Sequence, residues 1–483
     1  MELQTIQVVV FIAFTAAIAL ATYLKCRGTR VEANSNKEYF LAGGGLSWIF
    51  VAGSITLTNL STDQLVGMNG NQMALLAWWE FAAVAGLIIL AKVFLPVYYR
   101  NNCTTTTELL EKRYNDHHIR ATVSIMFLLG NIFIFLPAML YGGSLFMQSM
   151  FGVDISIMVL ASMFAVVGAC YAVFGGLRAV AVSDTYSGVV LLGMGVLVVI
   201  LALKAIDFDF SGIPAERLTL IGDNTSPIPW HTLLTGMLFI QVFYWSTNQT
   251  ITQRAMASPT LKEAQKGVFA AAGIRLLIVP PMIVLPGIVS YKLYGDVGDA
   301  AYGRIVGDVL PVWLSGAFAA AIAAAVLTSF NSILNSSTAL YVMDIHEKYF
   351  NAEPKVKVLS GWVTAVFVII ALALVPLYQQ AESIINTVQQ LYGLLSMPIL
   401  STFLVGLLFK NVEAKAMIIA MVSGVVLYGV LTGAIPGILD EAPFHYIHAM
   451  AVTLAFSIVT ALIVNSWAFG KRASYVGLTP RVT

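Results

Sequence analysis

Polar residues interrupt two otherwise apolar stretches of the chain, 46–69 and 231–254. The first contains TLTNLSTDQL at 56–65, and the second contains YWSTNQTITQ at 244–253. Inside a membrane helix such residues are costly unless they line a cavity. A helix broken there would free carbonyl and N–H groups that can replace water around an ion or a polar solute. The chemistry that this pattern predicts is binding, and the alternative is hydrogen bonding between helices.

A third polar signal lies further along, where the sequence AAAVLTSFNSILNSS occupies residues 323–337. Its small residues allow a neighbouring helix to approach closely. The adjacent hydroxyls of Thr328 and Ser329 are also suited to bind a hard cation, which prefers oxygen ligands. Periodicity alone leaves both interpretations open.

The sequence gives no indication of an enzyme. It contains no nucleophile–base pair and no spacing typical of metal ligands, and Cys26, Cys103 and Cys170 are scattered. We interpret these cysteines as packing residues, with neither a metal nor a disulfide implied. A net charge of +1 argues against a nucleic-acid partner, which usually requires a basic excess.

Composition indicates which solvent surrounds the chain. Of its 483 residues, 58% are hydrophobic and 11% are charged, whereas a soluble domain has about 25% charged residues. A single buried core stops growing near roughly 250–300 residues, so packing alone cannot hide this much apolar surface. The sequence therefore predicts an all-α integral membrane protein.

Stretches of about 20 apolar residues are long enough to cross a bilayer as helices. The sequence predicts thirteen such spans, the first of which we expect to be a retained helix, since no basic segment precedes it. The predicted spans are 5–24, 46–69, 73–99, 119–148, 153–174, 180–204, 231–254, 265–291, 309–344, 356–377, 384–409, 414–432 and 444–468.

The distribution of basic residues predicts an orientation. Most of the 26 Lys and Arg residues fall in loops on one side of the predicted spans. Because cytoplasmic loops are enriched in Lys and Arg, we expect the N-terminus outside and the C-terminus in the cytoplasm.

The two interrupted spans also imply an internal repeat. If 5–24 is a peripheral helix, they open two blocks of five spans, 46–204 and 231–409. Five is odd, so the second block is inverted relative to the first. Interrupted helices at matching positions of inverted repeats indicate a transporter binding site. We expect one transporter domain over 1–483, completed by two C-terminal helices at 414–468.

Short motifs spread over residues 38–410 strengthen this interpretation. They are EYFLAG at 38–43, NLSTDQLVGM at 59–68, FGGLRA at 174–179 with Asp184, QR at 253–254 with EAQKG at 263–267, LPG at 285–287, LNS at 334–336 and MDI at 343–345. With these motifs the chain resembles the solute:sodium symporter family (the sodium/glucose cotransporter type), most closely its bacterial sodium/galactose-type sugar symporters. The resemblance implies a LeuT-type 5+5 inverted repeat, with one extra N-terminal and two C-terminal helices.

The resemblance also implies a cation site. Sodium (Na+), the only metal expected, would bind the backbone carbonyls of Leu57, Leu60 and Ala325 and the hydroxyls of Thr328 and Ser329. Asp184 and Ser332 would belong to a second ion site or to the exit path of the ion. For Asp184, a structural role facing the cytoplasm is an equal alternative.

The solute site that the resemblance implies is polar. Its substrate-binding residues would be Gln64, Glu80, Gln241, Arg275 and Gln389. Met68, Trp79 and Ile385 would form the outer gate, and Tyr244 would stack on the inner side. The chain departs from the galactose carriers in four places: Gln241 replaces Asn, Arg275 replaces Lys, Ala83 replaces Ser, and Ile385 replaces an aromatic residue. Arg275 would either contact the substrate or neutralise Glu80 or Asp63.

The implied function is sodium-coupled import of a sugar or sugar-like polyol by alternating access, in a bacterial inner membrane. One alternative is sodium symport of another organic solute, such as an acidic sugar, inositol, an amino acid or a carboxylate. The other is a membrane sensor that binds sugar without transporting it. The partners expected are the small-molecule substrate, the sodium ion and the lipid bilayer.

Overall fold

The computed structural model describes residues 3–26, 40–152, 154–435, 438 and 442–477. Their backbone is largely helical. The α-helices are α1 Leu3–Cys26, α2 Trp48–Asn59, α3 Thr62–Gly70, α4 Trp78–Ile89, α5 Leu95–Arg100, α6 Thr106–Tyr114, α7 His117–Gly130, α8 Leu136–Phe151, α9 Ile157–Ala205, α10 Ala215–Leu218, α11 Gly236–Ser246, α12 Gln249–Met256, α13 Leu261–Leu277, α14 Val279–Tyr294, α15 Ala301–Val309, α16 Val312–Ala339, α17 Glu347–Tyr349, α18 Val356–Tyr378, α19 Ile384–Leu408, α20 Ala414–Leu431 and α21 Tyr446–Trp467.

Shorter elements connect or extend these helices. The 3-10 helices are Ala42–Gly44, Ala74–Ala77, Trp230–Leu234 and Gly298–Ala300, and the π-helical segments are Leu90–Phe94, Asn131–Phe135 and Leu340–His346. Two short strands, β1 Phe409–Lys410 and β2 Ser474–Tyr475, pair antiparallel.

The outer surface of the helices is suited to lipid. Among the described residues, nine helical stretches are long and apolar enough to cross a membrane. Large apolar side chains point outward from them, including Val189, Trp362 and Trp467, which are 71%, 72% and 88% exposed. Apolar exposure on this scale is unfavourable in water but favourable in a bilayer. Composition predicted this solvent correctly.

Both interruptions predicted from the polar runs are present. Between α2 and α3, Leu60 and Ser61 leave the helical conformation. Between α11 and α12, the side chain of Asn248 accepts from the N–H of Thr250 at 2.9 Å and caps the second half. Asn and Ser favour such breaks because they offer the backbone local hydrogen bonds that compete with the helix.

The segment predicted as two spans, 153–174 and 180–204, differs from expectation. The turn expected between them, at Gly175 and Gly176, was wrong, because α9 is helical throughout. The two glycines weaken a helix by about 1 kcal/mol each but do not end it. Gly168 lies beside Asn331, and Asp184, 16 residues later, hydrogen bonds to Ser54 of α2. Helix α9 therefore packs against both α16 and α2.

Helix α16 occupies the centre of the bundle. It packs against α1, α2, α8, α9 and α18, and most of its side chains are buried. This position brings its polar residues against the break between α2 and α3.

Some residues named in the sequence analysis lie outside the described part of the chain: Glu38, Tyr39 and the side chains of Asp63, Cys26 and Cys170. Cys103 is described, and it is a buried free thiol.

Candidate ion and solute site

The break in the first interrupted helix lies directly against α16. The hydroxyl of Ser329 donates to the carbonyl of Leu57 at 2.9 Å, and the hydroxyl of Thr328 donates to the carbonyl of Ala325 at 3.2 Å. Leu60 lies three residues after Leu57, where the helix breaks, and all five residues are at most 2% exposed. The structure thus buries all five predicted cation-binding residues and joins the broken helix to α16 through Ser329 and Leu57. Carbonyl and hydroxyl oxygens are suitable ligands for a hard cation.

The two residues predicted for a second ion or an exit path lie nearby, but each bonds to a different partner. The carboxylate of Asp184 accepts from the hydroxyl of Ser54 at 2.5 Å, while the hydroxyl of Ser332 accepts from that of Thr58 at 3.2 Å. Arg254 also donates to Thr58, at 3.1 Å, and lies within electrostatic range of Asp184. One guanidinium and one carboxyl group therefore lie beside the predicted cation-binding residues.

A small cavity lined by both apolar and polar side chains lies between the two interrupted helices. Its free volume is about 50 Å³, which is room for a few water molecules at roughly 10–15 Å³ each. It is lined by Asn59, Ser61, Gln64, Met68, Trp79, Glu80, Phe135, Met139, Ile240, Gln241, Tyr244, Trp245, Ile385, Val388, Gln389 and Tyr392. Four of the five predicted substrate residues and all four predicted gate residues are in this set.

Arg275 is the predicted substrate residue that is absent from the cavity wall. Its guanidinium forms an ion pair with Glu80, with 2.5 Å between Nη1 and Oε2, and donates to the carbonyl of Thr56 at 3.1 Å. The guanidinium carbon also lies 4.5 Å from the centre of a Trp245 ring. Both charged side chains are almost fully buried. Of the alternatives for Arg275, neutralisation of Glu80 is the one that this geometry shows, as expected for buried charges.

Glu80 is held from two sides. Its Oε2 faces the guanidinium, and its Oε1 accepts from the amide of Gln64. The carbonyl oxygen of Gln64 is buried without a hydrogen-bond partner. Gln241 is fixed more firmly, because it donates to the carbonyl of Trp79 at 3.2 Å and accepts from the indole of Trp245 at 2.9 Å. The amide of Gln64 is therefore the group that a solute hydroxyl would most easily displace.

Aromatic rings close one end of the cavity. The hydroxyl of Tyr244 accepts from Asn59 at 3.0 Å, and the hydroxyl of Tyr392 accepts from Asn248 at 2.8 Å. Phe135 packs edge-on against Tyr392, with 4.5 Å between the ring centres. The polar runs contained both asparagines, but nothing in the sequence distinguishes Tyr392 from an ordinary packing residue.

Comparison with known proteins identifies the family. Residues 39–424 match the sodium:solute symporter family. An uncharacterized symporter of Escherichia coli is 34% identical, over 96% of this chain and 84% of its own. A sodium/glucose cotransporter of Vibrio parahaemolyticus is 30% identical, over 88% of this chain and 84% of its own. The mouse sodium/myo-inositol cotransporter 2 is 26% identical, over 91% of this chain and 73% of its own.

The fold has a solved counterpart. A sodium-coupled sialic acid symporter in an outward-open state superposes with a TM-score of 0.82 at 19% identity, over 98% of this chain and 99% of its own. This likeness confirms the LeuT-type fold class expected from the sequence. The family match and the sodium-coupled relatives confirm the expected use of sodium. The chain belongs to the sodium:solute symporter family, as a multi-pass membrane protein that couples sodium to the transport of an organic solute.

Proposed function

We propose that this protein imports a neutral sugar or sugar-like polyol together with sodium, by alternating access. The observation that carries the proposal is the wall of the central cavity. It presents one carboxylate, Glu80, whose charge is balanced by Arg275, beside the amides of Gln64, Gln241 and Gln389. Such groups both donate to and accept from hydroxyls, and a site built this way rejects analogues that lack those hydroxyls.

The ion pair favours a neutral solute over an acidic one. The carboxylate of an acidic sugar would have to take Arg275 from Glu80 and would leave a second buried carboxylate unpaired, which is strongly unfavourable. A neutral polyol needs only to replace the hydrogen bond between Gln64 and Glu80. Two relatives are named for neutral polyols, glucose in Vibrio parahaemolyticus and myo-inositol in mouse.

In this proposal the substrate-binding residues are Gln64, Glu80, Gln241 and Gln389, and Arg275 positions Glu80. Met68, Trp79 and Ile385 are at most 5% exposed, and they act as the outer gate. Tyr244 acts as the inner gate. Because the cavity of about 50 Å³ holds only a few waters, these side chains must move apart before a hexose can enter.

Sodium binds first, at the carbonyls of Leu57, Leu60 and Ala325 and the hydroxyls of Thr328 and Ser329. It replaces the hydrogen bonds that now join these groups and holds the interrupted helix against α16. A ligand shifts a conformational equilibrium only by its different affinity for the two states. In this proposal, sodium binds the outward-open state more tightly and so stabilises it. The membrane potential drives its inward movement with about 2.3 kcal/mol per charge and 100 mV.

The arrangement of the chain in the cell belongs to the same proposal. We infer inverted repeats over 46–204 and 231–409, with the N-terminus outside and the C-terminus in the cytoplasm of a bacterium. Asp184 and Ser332 then lie on the route by which sodium leaves, and the nearby charge of Arg254 favours its release.

Uptake by proteoliposomes tests the proposal. Labelled glucose, galactose and myo-inositol are offered with an inward sodium gradient, and a choline gradient serves as the control. We expect at least one of them to accumulate only with sodium, and we expect Gln64→Ala to raise the KM strongly. Sodium-dependent binding without accumulation would instead support the sensor. If none of these polyols accumulates although sodium binds, the solute is of another class.

A further inference from the structure

Histidines from two distant parts of the chain meet at one end of the bundle, on the face predicted to be external. His231 lies in the 3-10 helix Trp230–Leu234, just before α11, and His448 lies in the first turn of α21. Their rings are nearly parallel and face each other edge to edge, with 4.7 Å between the centres and 9° between the planes. Nδ1 of His231 and Nε2 of His448 face each other at 2.5 Å. Both side chains are partly exposed, so solutes in the surrounding water can reach them.

The outer nitrogen of each ring has a partner that fixes its proton. Nε2 of His231 lies 3.0 Å from the carbonyl oxygen of Asn224, which can only accept, so Nε2 carries the proton. Nδ1 of His448 lies 2.8 Å from the hydroxyl of Thr235. That hydroxyl donates to the carbonyl of Thr232, so it accepts from His448. In a neutral imidazole one nitrogen donates and the other accepts.

The two facing nitrogens are therefore both unprotonated in the neutral rings, and their lone pairs converge. Lone pairs at this distance repel each other unless a cation or a shared proton lies between them. A ring whose second N–H donates to a protein oxygen is the usual arrangement of a histidine that binds a metal, because this bond fixes the tautomer and the ring orientation.

We propose that His231 and His448 form a binding site for a divalent transition-metal cation of the Zn²⁺ type at the external face. Asn224 and Thr235 orient the two rings. Zn²⁺ binds histidine nitrogens at about 2.0–2.1 Å, so a tetrahedral ion holds two of them about 3.3 Å apart. The rings must separate by about 0.8 Å, which two side chains at the surface can do.

The two rings supply only part of a zinc coordination shell. No group of three or more His, Cys, Asp or Glu side chains placed to hold a metal occurs in the described part of the chain. Water must supply the remaining ligands. The ion is then held more weakly than in a structural site with four protein ligands, and it exchanges with the medium.

The metal would join parts of the molecule that must separate if α11 moves. Gly236, the first residue of α11, packs directly on α21, and a Cβ there would lie 1.7 Å from the carbonyl oxygen of Ile447. Helix α11 also carries Gln241 and Tyr244 of the cavity wall. We expect the metal to slow transport by holding α11 to α21. This consequence rests on the proposed function, whereas the binding of the metal does not.

Equilibrium dialysis of the purified, tag-free full chain against radioactive zinc tests the site. We expect saturable binding of one ion per chain at micromolar zinc, and no competition from Mg²⁺, which prefers oxygen ligands. His231→Gln and His448→Gln should each weaken binding by at least about tenfold. His117→Gln, at the exposed start of α7, is the matched control and should bind as the wild type does.

A second measurement needs no variant. Zinc should protect His231 and His448 from acylation by diethyl pyrocarbonate, as read by mass spectrometry, and should leave His117 reactive. Absence of zinc binding, or equal binding by the wild type and both glutamine variants, would overturn the proposal and leave a shared proton between the rings. Zinc binding without slower transport would keep the site and remove its effect on α11.

Discussion

Two fully buried arginines, Arg275 and Arg254, both hydrogen bond to the first interrupted helix but differ in their charged partners. Arg275 pairs with the carboxylate of Glu80. Arg254 bonds to oxygens of Thr58, Thr250 and Ser336, its Nη2 has no hydrogen-bond partner, and no carboxylate of the described residues lies within ion-pair distance. The guanidinium beside the solute cavity thus touches its carboxylate, whereas Arg254 and Asp184, beside the proposed cation site, interact only over a longer distance.

This difference between the two arginines fits the proposed function, in which a neutral solute and a sodium ion are transported together. A balanced carboxylate–guanidinium pair can hydrogen bond to a neutral solute without holding it by charge. In the proposed function, Arg254 lies near the exit path without a carboxylate in direct contact, and its positive charge lowers the affinity for sodium so that the ion can leave. A buried charge without a partner is expensive, so it is retained where its field has a use.

The largest effect is expected where the balanced pair is broken. Glu80→Gln leaves Arg275 buried without a carboxylate, which costs about 3–5 kcal/mol. We expect a lower melting temperature in detergent and no measurable uptake. The double variant Glu80→Gln with Arg275→Gln removes both charges and should regain much of the stability but not the uptake. If Glu80→Gln melted and transported like the wild type, the pair would have neither role.

The next effect concerns the cation site. Ser329→Ala removes one oxygen ligand of the proposed sodium site. We expect the sodium concentration for half-maximal uptake to rise about tenfold or more, while solute binding at saturating sodium changes little. Ser315→Ala, near the other end of α16, is the control. An unchanged sodium dependence would remove Ser329 from the site.

A smaller effect is expected from the charge of Arg254. Arg254→Gln removes the positive field and keeps some of the hydrogen bonds. The sodium concentration for half-maximal uptake should fall several-fold, because an opposing charge near the ion path is gone. Solute release and turnover should slow. A rise in the sodium concentration for half-maximal uptake would show that Arg254 assists cation binding, and would contradict this prediction.

The smallest effect concerns Asp299, for which the described part of the chain provides no ion pair and which accepts from the N–H of Ile384, next to the proposed gate residue Ile385. Burial raises the pKa of Asp299 from 3.8 to about 7, partly offset by the bond from Ile384. The native state therefore binds a proton more tightly than the unfolded state. This contribution to stability is fully present below pH 3.8 and is lost as the pH rises towards 7. Asp299→Asn should flatten this part of the pH–stability profile by thermal unfolding, and an identical profile would contradict it.

Sequence patterns predicted some features far better than others. Both helix breaks could be predicted, because polar runs in an apolar span have few other solutions. The partner of Arg275 could not, because Glu80, Asp63 and a solute were equal candidates until the helices were placed in space. The expected turn at Gly175 and Gly176 was wrong, since two glycines weaken a helix without ending it. Tyr392 was missed because an aromatic residue in an apolar helix looks the same in either role.

The most direct test of the central claim compares a neutral polyol with its matching carboxylate. Proteoliposomes under one sodium gradient receive labelled glucose or glucuronate at equal concentration, or the polyol that transports best and its acid. The balanced pair of Glu80 and Arg275 predicts sodium-dependent accumulation of the neutral compound and little of the acid. Equal or greater accumulation of the acid would contradict it, because Arg275 would then be available to bind a carboxylate.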